Sequence, residues 1–305
     1  MTGPAMMIPA GILTIDKPSG PTSHDVVQMV RRLAGRRVRV GHCGTLDPLA
    51  SGLLVLTVAA ATRLSRYFVG LDKEYEGRVR LGEATDTFDA AGEITERMPV
   101  PPDLDEQAVG AAARRLTGTI EQEPPAYSAI KVEGKRLHAR ARAGEEVRAP
   151  VRRIEIHDLE ITALELPDIR IRVRCSSGTY VRSIARDLGA LLRLPAHLVS
   201  LVRTAVGPFA LRDAAPPPAD TDELRARIVP PARALDFLPA MLLDANQVDR
   251  MRVGGSLPLG DLPVASDSPH SPVRAIGPDG ELVAMAEIER VGDAGVLQPR
   301  VVLSN

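Results

Sequence analysis

The chain has little cysteine, few aromatic side chains and no long apolar run. It contains two cysteines in 305 residues, no tryptophan and 3% aromatic residues. Two isolated thiols exclude a disulfide framework and a cysteine-based zinc site. No apolar run reaches the roughly 18 residues of a membrane helix, and the start, Met1-Thr2-Gly3-Pro4, lacks a signal-peptide pattern. We therefore expect a globular cytoplasmic protein with no membrane partner.

The net charge of −1 argues against a protein that coats nucleic acid indiscriminately. The basic residues are nevertheless clustered. Between Val26 and Leu46 there are five arginines and no acid, and between Lys131 and Arg153 eight basic residues face three acids. One such run is usually a solvated surface, but two runs flanking a candidate catalytic loop favour a polyanionic substrate.

A glycine-rich loop with a single carboxylate follows the first basic run. Its sequence is Gly41-His42-Cys43-Gly44-Thr45-Leu46-Asp47-Pro48-Leu49-Ala50-Ser51-Gly52. Glycine permits positive φ and close backbone approach, while Pro48 biases Asp47 toward an extended conformation. Taken alone, an Asp-Pro pair more often caps a turn than performs catalysis. The loop therefore makes Asp47 a candidate that needs further support.

Apolar spacing predicts a mixed, largely antiparallel α+β domain over residues 1–237 and a small β-barrel-like domain over 238–305. The predicted strands are Gly11–Asp16, Gly52–Val58, Lys73–Leu81, Arg153–Ile161, Ile169–Cys175, Val273–Ile276, Leu282–Ile288 and Val296–Leu303. The predicted helices are Ser23–Leu33, with Ser23 as N-cap, Ala61–Phe68, Leu104–Leu116, Thr179–Leu192 and Thr221–Ile228. An insertion is expected at about residues 124–152.

Five motifs, in one order, resemble those of the TruB family, the bacterial tRNA pseudouridine-55 synthases. They are the Asp47 loop, Ile15-Asp16-Lys17-Pro18-Ser19-Gly20, Leu71-Asp72-Lys73-Glu74-Tyr75, Pro125-Ala126-Tyr127-Ser128-Ala129-Ile130-Lys131 and Thr179-Tyr180-Val181-Arg182. They extend over about residues 11–210, and the tail resembles a PUA domain, a small RNA-binding module. One departure is Leu137, where the family commonly has tyrosine, and it weakens the expected RNA grip of the insertion rather than the chemistry.

The resemblance implies an isomerase that converts uridine 55 in the T loop of tRNA to pseudouridine by base flipping. The reaction adds no group and changes no oxidation state, so it requires no cofactor and no metal. We expect a monomer that needs no protein partner. Two alternatives stay open: an RNA-folding chaperone with secondary or lost catalysis, and a guide-RNA-dependent synthase subunit.

The resemblance also implies three catalytic residues. Asp47 is the nucleophile or base, Tyr75 stacks on the extruded uracil, and Arg182 pairs with the Asp47 carboxylate. Without the resemblance, Tyr75 is more simply a cross-strand contact and Arg182 a solvated helix residue. A carboxylate suits the first role because it is ionised at pH 7.

Six further residues are implied to bind the substrate. Tyr180 packs beside Arg182, Leu201 lies against the uracil as well as in the core, and His42 enters the RNA stack as a wedge. A metal-binding role for His42 is disfavoured because Cys43 and Asp47 are the only potential metal ligands at ligand spacing from it in the sequence. Arg63 and Asp89 match positions at the rim of the pocket. Lys17 contacts phosphate or organises the neighbouring loop.

Overall fold

The computed structural model describes residues 7–125, 131–132, 135–136, 150–259, 271–291 and 294–303. Most of the insertion expected at about 124–152 therefore lies outside the described residues, including Tyr127 and Leu137. The statements below concern the described part of the chain.

Runs of consecutive strands are separated by helices along the chain. The strands are β1 (Gly11–Lys17), β2 (Val40–His42), β3 (Ser51–Val58), β4 (Lys73–Leu81), β5 (Glu83–Thr85), β6 (Ile94–Arg97), β7 (Gly118–Gln122), β8 (Lys131–Val132), β9 (Lys135–Arg136), β10 (Arg152–Glu165), β11 (Asp168–Cys175), β12 (Ala196–Val206), β13 (Phe209–Ala210), β14 (Ala240–Leu242), β15 (Leu257–Pro258), β16 (Pro272–Ile276), β17 (Leu282–Val291) and β18 (Ala294–Val302). The helices are α1 (Ser23–Ala34), α2 (Arg66–Val69), α3 (Glu106–Arg115), α4 (Val181–Leu191), α5 (Thr221–Arg227), α6 (Pro231–Ala234) and α7 (Ala245–Arg252), and 3₁₀ turns span Ala59–Leu64 and Leu211–Asp213.

A nine-stranded sheet forms the larger part of the fold. Its order is β1-β3-β12-β4-β11-β10-β7, with β2 beside β3 and β13 beside β12. The described pairs are antiparallel except β12 with β3, which is parallel. The mixed, largely antiparallel sheet predicted from the sequence is confirmed. Its principal core contains residues from α1, α3 and α4 together with residues of the central strands.

Helix α1 shows how the sequence sets these contacts. Val26, Val27 and Val30 are buried at helical spacing, so one face of the helix packs on the sheet. The N-cap is Thr22, not Ser23 as predicted, because the Thr22 and Asp25 side chains bond each other's backbone in a capping box. Ser23 is instead buried, and its hydroxyl donates to the Leu46 carbonyl in the loop that carries Asp47.

In the middle of the chain one predicted element is wrong and one strand was not predicted. The helix expected over Ala61–Phe68 is a 3₁₀ turn followed by the single turn of α2. The central strand β12 was not predicted at all. Its pairing with β4 shifts register between Leu198 and Ser200 and between Arg203 and Ala205. Such irregularities interrupt the alternation of apolar and polar residues by which a strand is recognised.

The C-terminal residues form a second, five-stranded sheet in the order β14-β16-β17-β18-β15. Helix α7 supplies Val248 and Met251 to its core. A shared cluster joins the two sheets, since Met285 of β17 is grouped with Phe68 and Leu235. The second sheet is thereby packed against the part of the molecule that contains the nine-stranded sheet.

Candidate active site

A cavity of about 600 Å³ opens where β3, β4, β12 and α4 meet. Its lining includes six of the predicted site residues, His42, Asp47, Tyr75, Tyr180, Arg182 and Leu201. These residues come from β2, the loop before β3, β4, β12 and the start of α4, which are far apart in sequence. The fold therefore collects most of the residues that the sequence singled out.

The loop that carries Asp47 is held by glycines at its two ends. Gly44 has φ +134° and Gly52 has φ +98°, in the region that favours glycine. A Cβ on Gly52 would lie 2.5 Å from the carbonyl oxygen of Arg203, so no other residue fits there without movement. The Oγ of Ser23 accepts from the Leu46 amide at 2.7 Å and donates to the Leu46 carbonyl at 2.9 Å. The residue before Asp47 is thus fixed from outside the loop.

The N-terminal motif packs directly on this loop. The Gly20 amide donates to the Pro48 carbonyl at 2.8 Å, and the Ser19 hydroxyl donates to the Leu49 carbonyl at 3.1 Å. Lys17 is fully buried, and its Nζ donates to the carbonyls of Pro18 and Pro21. Burial lowers the pKa of Lys17, while the charge of Asp47 opposes that shift. Of its two expected roles, these contacts favour organisation of the loop.

Arg182 lies between two carboxylates at the base of the cavity. Its Nε is 2.9 Å from Oδ2 of Asp47, and its Nη1 is 3.3 Å from Oδ2 of Asp89. Nη1 also donates to the carbonyl of Thr87 at 3.1 Å. Asp89 is buried and accepts from the Thr87 hydroxyl and the Ala91 amide, so it lies behind Arg182 rather than at the cavity rim. Position and orientation of the guanidinium are both set by these partners.

Asp47 is a carboxylate under opposing influences. Burial raises its pKa above the ordinary value, and the neighbouring charge of Asp89 acts in the same direction. Arg182 and Lys17 oppose both effects. Burial of the carboxyl group is the largest influence, so the pKa of Asp47 is raised. Asp47 combines a fixed orientation with a basicity greater than that of a free aspartate.

Tyr75 and Leu201 supply apolar surface to the same cavity. Each is 8% exposed, and they lie on the adjacent strands β4 and β12. Burial raises the pKa of Tyr75, so its hydroxyl stays protonated at neutral pH. Tyr180 is fixed through its backbone, whose amide and carbonyl bond the side chain of Gln122 at 2.8 and 3.1 Å. Gln122 was missed from the sequence because its role is to hold a backbone, which leaves no motif.

His42 extends from β2 into the cavity. Burial lowers its pKa, with smaller contributions from Arg203 and His24, so the ring is neutral near pH 7. Within the described part of the chain, its Nδ1 is buried without a hydrogen-bond partner. The same described residues contain no group of three or more metal-ligating side chains. The ring is therefore arranged for stacking or hydrogen bonding to a ligand.

Comparison with known proteins assigns the chain to a family. The family described as TruB family pseudouridylate synthase (N terminal domain) matches residues 31–181. A protein of Thermobifida fusca named tRNA pseudouridine synthase B is 45% identical over 96% of this chain and 98% of its own. A protein of the same name from Leifsonia xyli is 47% identical over 92% of this chain and 93% of its own.

The chain belongs to the TruB family of pseudouridylate synthases. It is accordingly a pseudouridine synthase, an isomerase.

Solved structures agree on the pseudouridine synthase fold. A chain in a Cbf5-Nop10-Gar1 complex is 25% identical with a TM-score of 0.75, covering 97% of this chain and 86% of that one. A chain in an H/ACA RNP bound to a substrate RNA containing 2′-deoxyuridine is 23% identical with a TM-score of 0.73, covering 97% and 85%. The second likeness shows the fold alone.

Arg63 lies away from the cavity of this TruB-family chain. It is exposed in the 3₁₀ turn after β3, and its Nη1 donates to the carbonyl of Val302 in β18. There it lines a second cavity of about 1100 Å³ with Arg36, Arg37, Arg39 and Arg225, which we call the arginine-lined cavity. No described residue lines both cavities, and the two come near each other at β2, where Arg39 of one cavity precedes His42 of the other by three residues. A substrate contact by Arg63 remains a prediction, and it concerns this other surface.

In the described part of this TruB-family chain, no helix combines the length and the apolar character needed to cross a bilayer.

Proposed function

We propose that the chain converts uridine 55 in the T loop of tRNA to pseudouridine, with Asp47 as the essential carboxylate. The observation that carries the proposal is the 2.9 Å contact between Arg182 and Asp47 at the base of a cavity lined by Tyr75 and Leu201. The names of the relatives, tRNA pseudouridine synthase B, support tRNA as the substrate. A uridine drawn out of its stack would meet a fixed anion on one side and apolar surface on the other.

The chemistry is an isomerisation in which atoms balance within one nucleotide. The bond from N1 of uracil to C1′ of ribose breaks, a bond from C5 to C1′ forms, the C5 proton leaves and N1 gains a proton. No redox partner and no group donor takes part. Asp47 supplies the nucleophile or base, and Arg182 fixes the orientation of its carboxylate.

The residues around Asp47 hold the extruded nucleotide. Tyr75 and Leu201 offer flat and apolar surface that replaces the lost base neighbours, and Tyr180 closes the cavity beside Arg182. His42, with a neutral ring and a free Nδ1 among the described residues, fills the place that the base leaves in the RNA stack. Exclusion of water by this packing protects the detached uracil.

The remaining surfaces bind the rest of the RNA. The arginine-lined cavity offers positive charge for phosphates, as does the basic insertion expected at about residues 124–152. Residues 1–237 form the catalytic domain in this proposal. Residues 238–305, which include the five-stranded sheet, form a PUA-like RNA-binding domain. The enzyme acts in the cytoplasm as a monomer, with no obligatory protein partner.

The arginines of the arginine-lined cavity also support a second candidate, an RNA-folding chaperone in which catalysis is secondary. Asp47→Asn separates the two. On unmodified tRNA transcript labelled with tritium at C5 of uridine, with no guide RNA or other protein, wild type should release the label as pseudouridine forms, and Asp47→Asn should release none. Binding of the transcript should be nearly unchanged, because phosphate contacts dominate affinity.

Asp86→Asn is a matched control for this experiment. Asp86 is exposed, accepts from the Glu93 amide, and does not touch Arg182, so its variant should convert tRNA like wild type. Equal conversion by wild type and Asp47→Asn would remove the catalytic proposal and leave the chaperone. Conversion that requires added guide RNA would instead favour the guide-dependent class.

A further inference from the structure

A buried arginine lies behind the catalytic loop, and the mechanism above does not use it. Arg203 of β12 is 1% exposed. Its Nε donates to the Leu53 carbonyl at 2.7 Å, its Nη1 to the Thr45 carbonyl at 3.3 Å and its Nη2 to the Gly44 carbonyl at 3.2 Å. Gly44 and Thr45 precede Asp47, while Leu53 follows it. A single guanidinium therefore ties together the two ends of the loop.

The backbone of Arg203 makes the same connection. It is registered with Gly52 of β3 on one side and with Tyr75 of β4 on the other. The absent Cβ of Gly52 is what allows the close approach, because that atom would lie 2.8 Å from the Arg203 amide nitrogen. Arg203 thus stands between the strand that continues the Asp47 loop and the strand that carries Tyr75.

The surroundings of Arg203 make an arginine energetically unfavourable there if its only role is to fill the core. In the described part of the chain it forms no ion pair, although it is fully buried. A second cation is close, since burial and then the charge of Arg203 lower the pKa of Lys73 to about 8. A buried charge without a carboxylate is costly, whereas an apolar side chain of similar length would not be. A guanidinium has five N–H donors in one plane, and three of its nitrogens, Nε, Nη1 and Nη2, each donate to one of the three carbonyls.

We infer that Arg203 is a positioning residue, which holds the Asp47 loop in a fixed relation to Tyr75 and Arg182. The inference rests on the proposed roles of Asp47 and Tyr75. Arg203 donates to the loop backbone, and it also lines the Asp47 cavity, where its charge and a hydrogen bond act on the Tyr75 hydroxyl. Its loss should therefore misplace the carboxylate while leaving the RNA-binding surfaces intact. A displacement of about 1 Å in a reacting group can cost roughly 100-fold in rate.

The molecule offers a matched control in Arg274 of β16. Its side chain also donates to three carbonyls, those of Ala232 at 2.8 Å, Leu238 at 2.9 Å and Asp236 at 3.3 Å. These carbonyls lie at the junction with the five-stranded sheet and do not line the Asp47 cavity. Lysine at either position keeps the charge but loses the planar set of donors.

The experiment compares Arg203→Lys, Arg274→Lys and Asp47→Asn in the full chain. For Arg203→Lys we expect kcat to fall about 100-fold, with the Kd for tRNA unchanged, at a temperature at which both lysine variants are folded; the Tm should fall further than in Arg274→Lys because Arg203 is fully buried and Arg274 half-buried. For Arg274→Lys we expect kcat near that of wild type. Equal kcat values in the two lysine variants would overturn the inference.

Two further measurements cover a variant that fails to fold. Arg203→Gln removes the buried charge and shortens the donor, and it should show the same loss of kcat at unchanged Kd. Hydrogen exchange on wild type needs no variant: the amides of Leu46 and Ala50, bonded to Ser23 Oγ and to the Asp47 carbonyl, should exchange as slowly as those of β3. Fast exchange there would contradict a held loop.

The outcomes also separate this inference from the proposed function. Conversion by Asp47→Asn would remove the proposed function and the inference with it. An inactive Asp47→Asn together with a fully active Arg203→Lys would remove only the role of Arg203.

Discussion

Two cavities of this pseudouridine synthase place arginines in different surroundings. In the Asp47 cavity, Arg182 lies within 2.9 Å of one carboxylate and 3.3 Å of another. In the arginine-lined cavity, none of the lining residues is acidic. Among the described residues, Arg36, Arg37 and Arg39 form no ion pair and Arg63 donates to a carbonyl, whereas Arg225 pairs with Asp222 at 2.8 Å.

The difference distinguishes two uses of positive charge. A paired guanidinium has lost its attraction for distant anions but gained a fixed direction, which a reacting carboxylate needs. Unpaired arginines on apolar surface keep their attraction for phosphate and need no single orientation. Changes in the first cavity should therefore alter the rate of reaction, and changes in the second should alter affinity.

The largest effect is expected for Arg182→Met. Loss of the guanidinium that orients the Asp47 carboxylate should lower kcat about 100- to 1000-fold. It also leaves Asp47 and Asp89 facing each other, which raises the pKa of Asp47 further. Single-turnover assays should show the loss of kcat with the Kd for tRNA nearly unchanged. Arg186→Met, four residues along α4 and paired with Asp187, is the control and should keep most of the rate.

A smaller effect, on binding, is expected for Arg37→Glu. Reversal of one unpaired charge should raise the Kd for tRNA about tenfold, or about 1.4 kcal/mol, and flatten its salt dependence. The maximal rate at saturating tRNA should not change. Arg115→Glu, on exposed surface of α3 outside that cavity, is the comparison. A loss of maximal rate without a change in Kd would contradict the division between the two cavities.

The smallest effect concerns pH. Because burial raises the pKa of Asp47, activity should be lost on acidification at a pH above the ordinary carboxyl range of about 3.9. The carboxylate must be ionised, so the rate falls as pH falls through that raised pKa. Asp89→Asn removes a like charge and should move the acid limb of kcat/KM to lower pH, by less than about one unit. An acid limb that moves upward, or moves equally in Asp86→Asn, would oppose this account.

The parts of the site that depend on local sequence could be predicted. The Asp47 loop carries its own turn signals, and the alternation from Lys73 to Leu81 places Tyr75 on a half-buried strand, as the structure has it. Arg182 was linked to Asp47 only through the family resemblance, because nothing in the spacing of two distant residues implies contact. The family itself is confirmed by its relatives.

The parts of the fold and the site that depend on tertiary contacts could not be predicted from the sequence. Strand β12 escaped prediction because two register shifts and a buried arginine interrupt its apolar pattern. Gln122 acts by bonding the backbone of Tyr180, and such a partner has no signature of its own. The position of Arg63 depends on the 3₁₀ turn that replaces the expected helix, since the two geometries direct a side chain differently.

The parallel pairing of β12 with β3 has a consequence for synthesis on the ribosome. The two strands pair at Val202 with Ser51 and at Arg203 with Gly52. The Leu53 carbonyl, which accepts a hydrogen bond from the Arg203 side chain, is 150 positions away from Arg203 in the sequence. Contacts so distant along the chain form slowly and late. A nascent polypeptide that has emerged only as far as α4 already displays Asp47 and Arg182 but lacks the strand that binds the loop, so catalytic competence should arise only after β12 has left the exit tunnel.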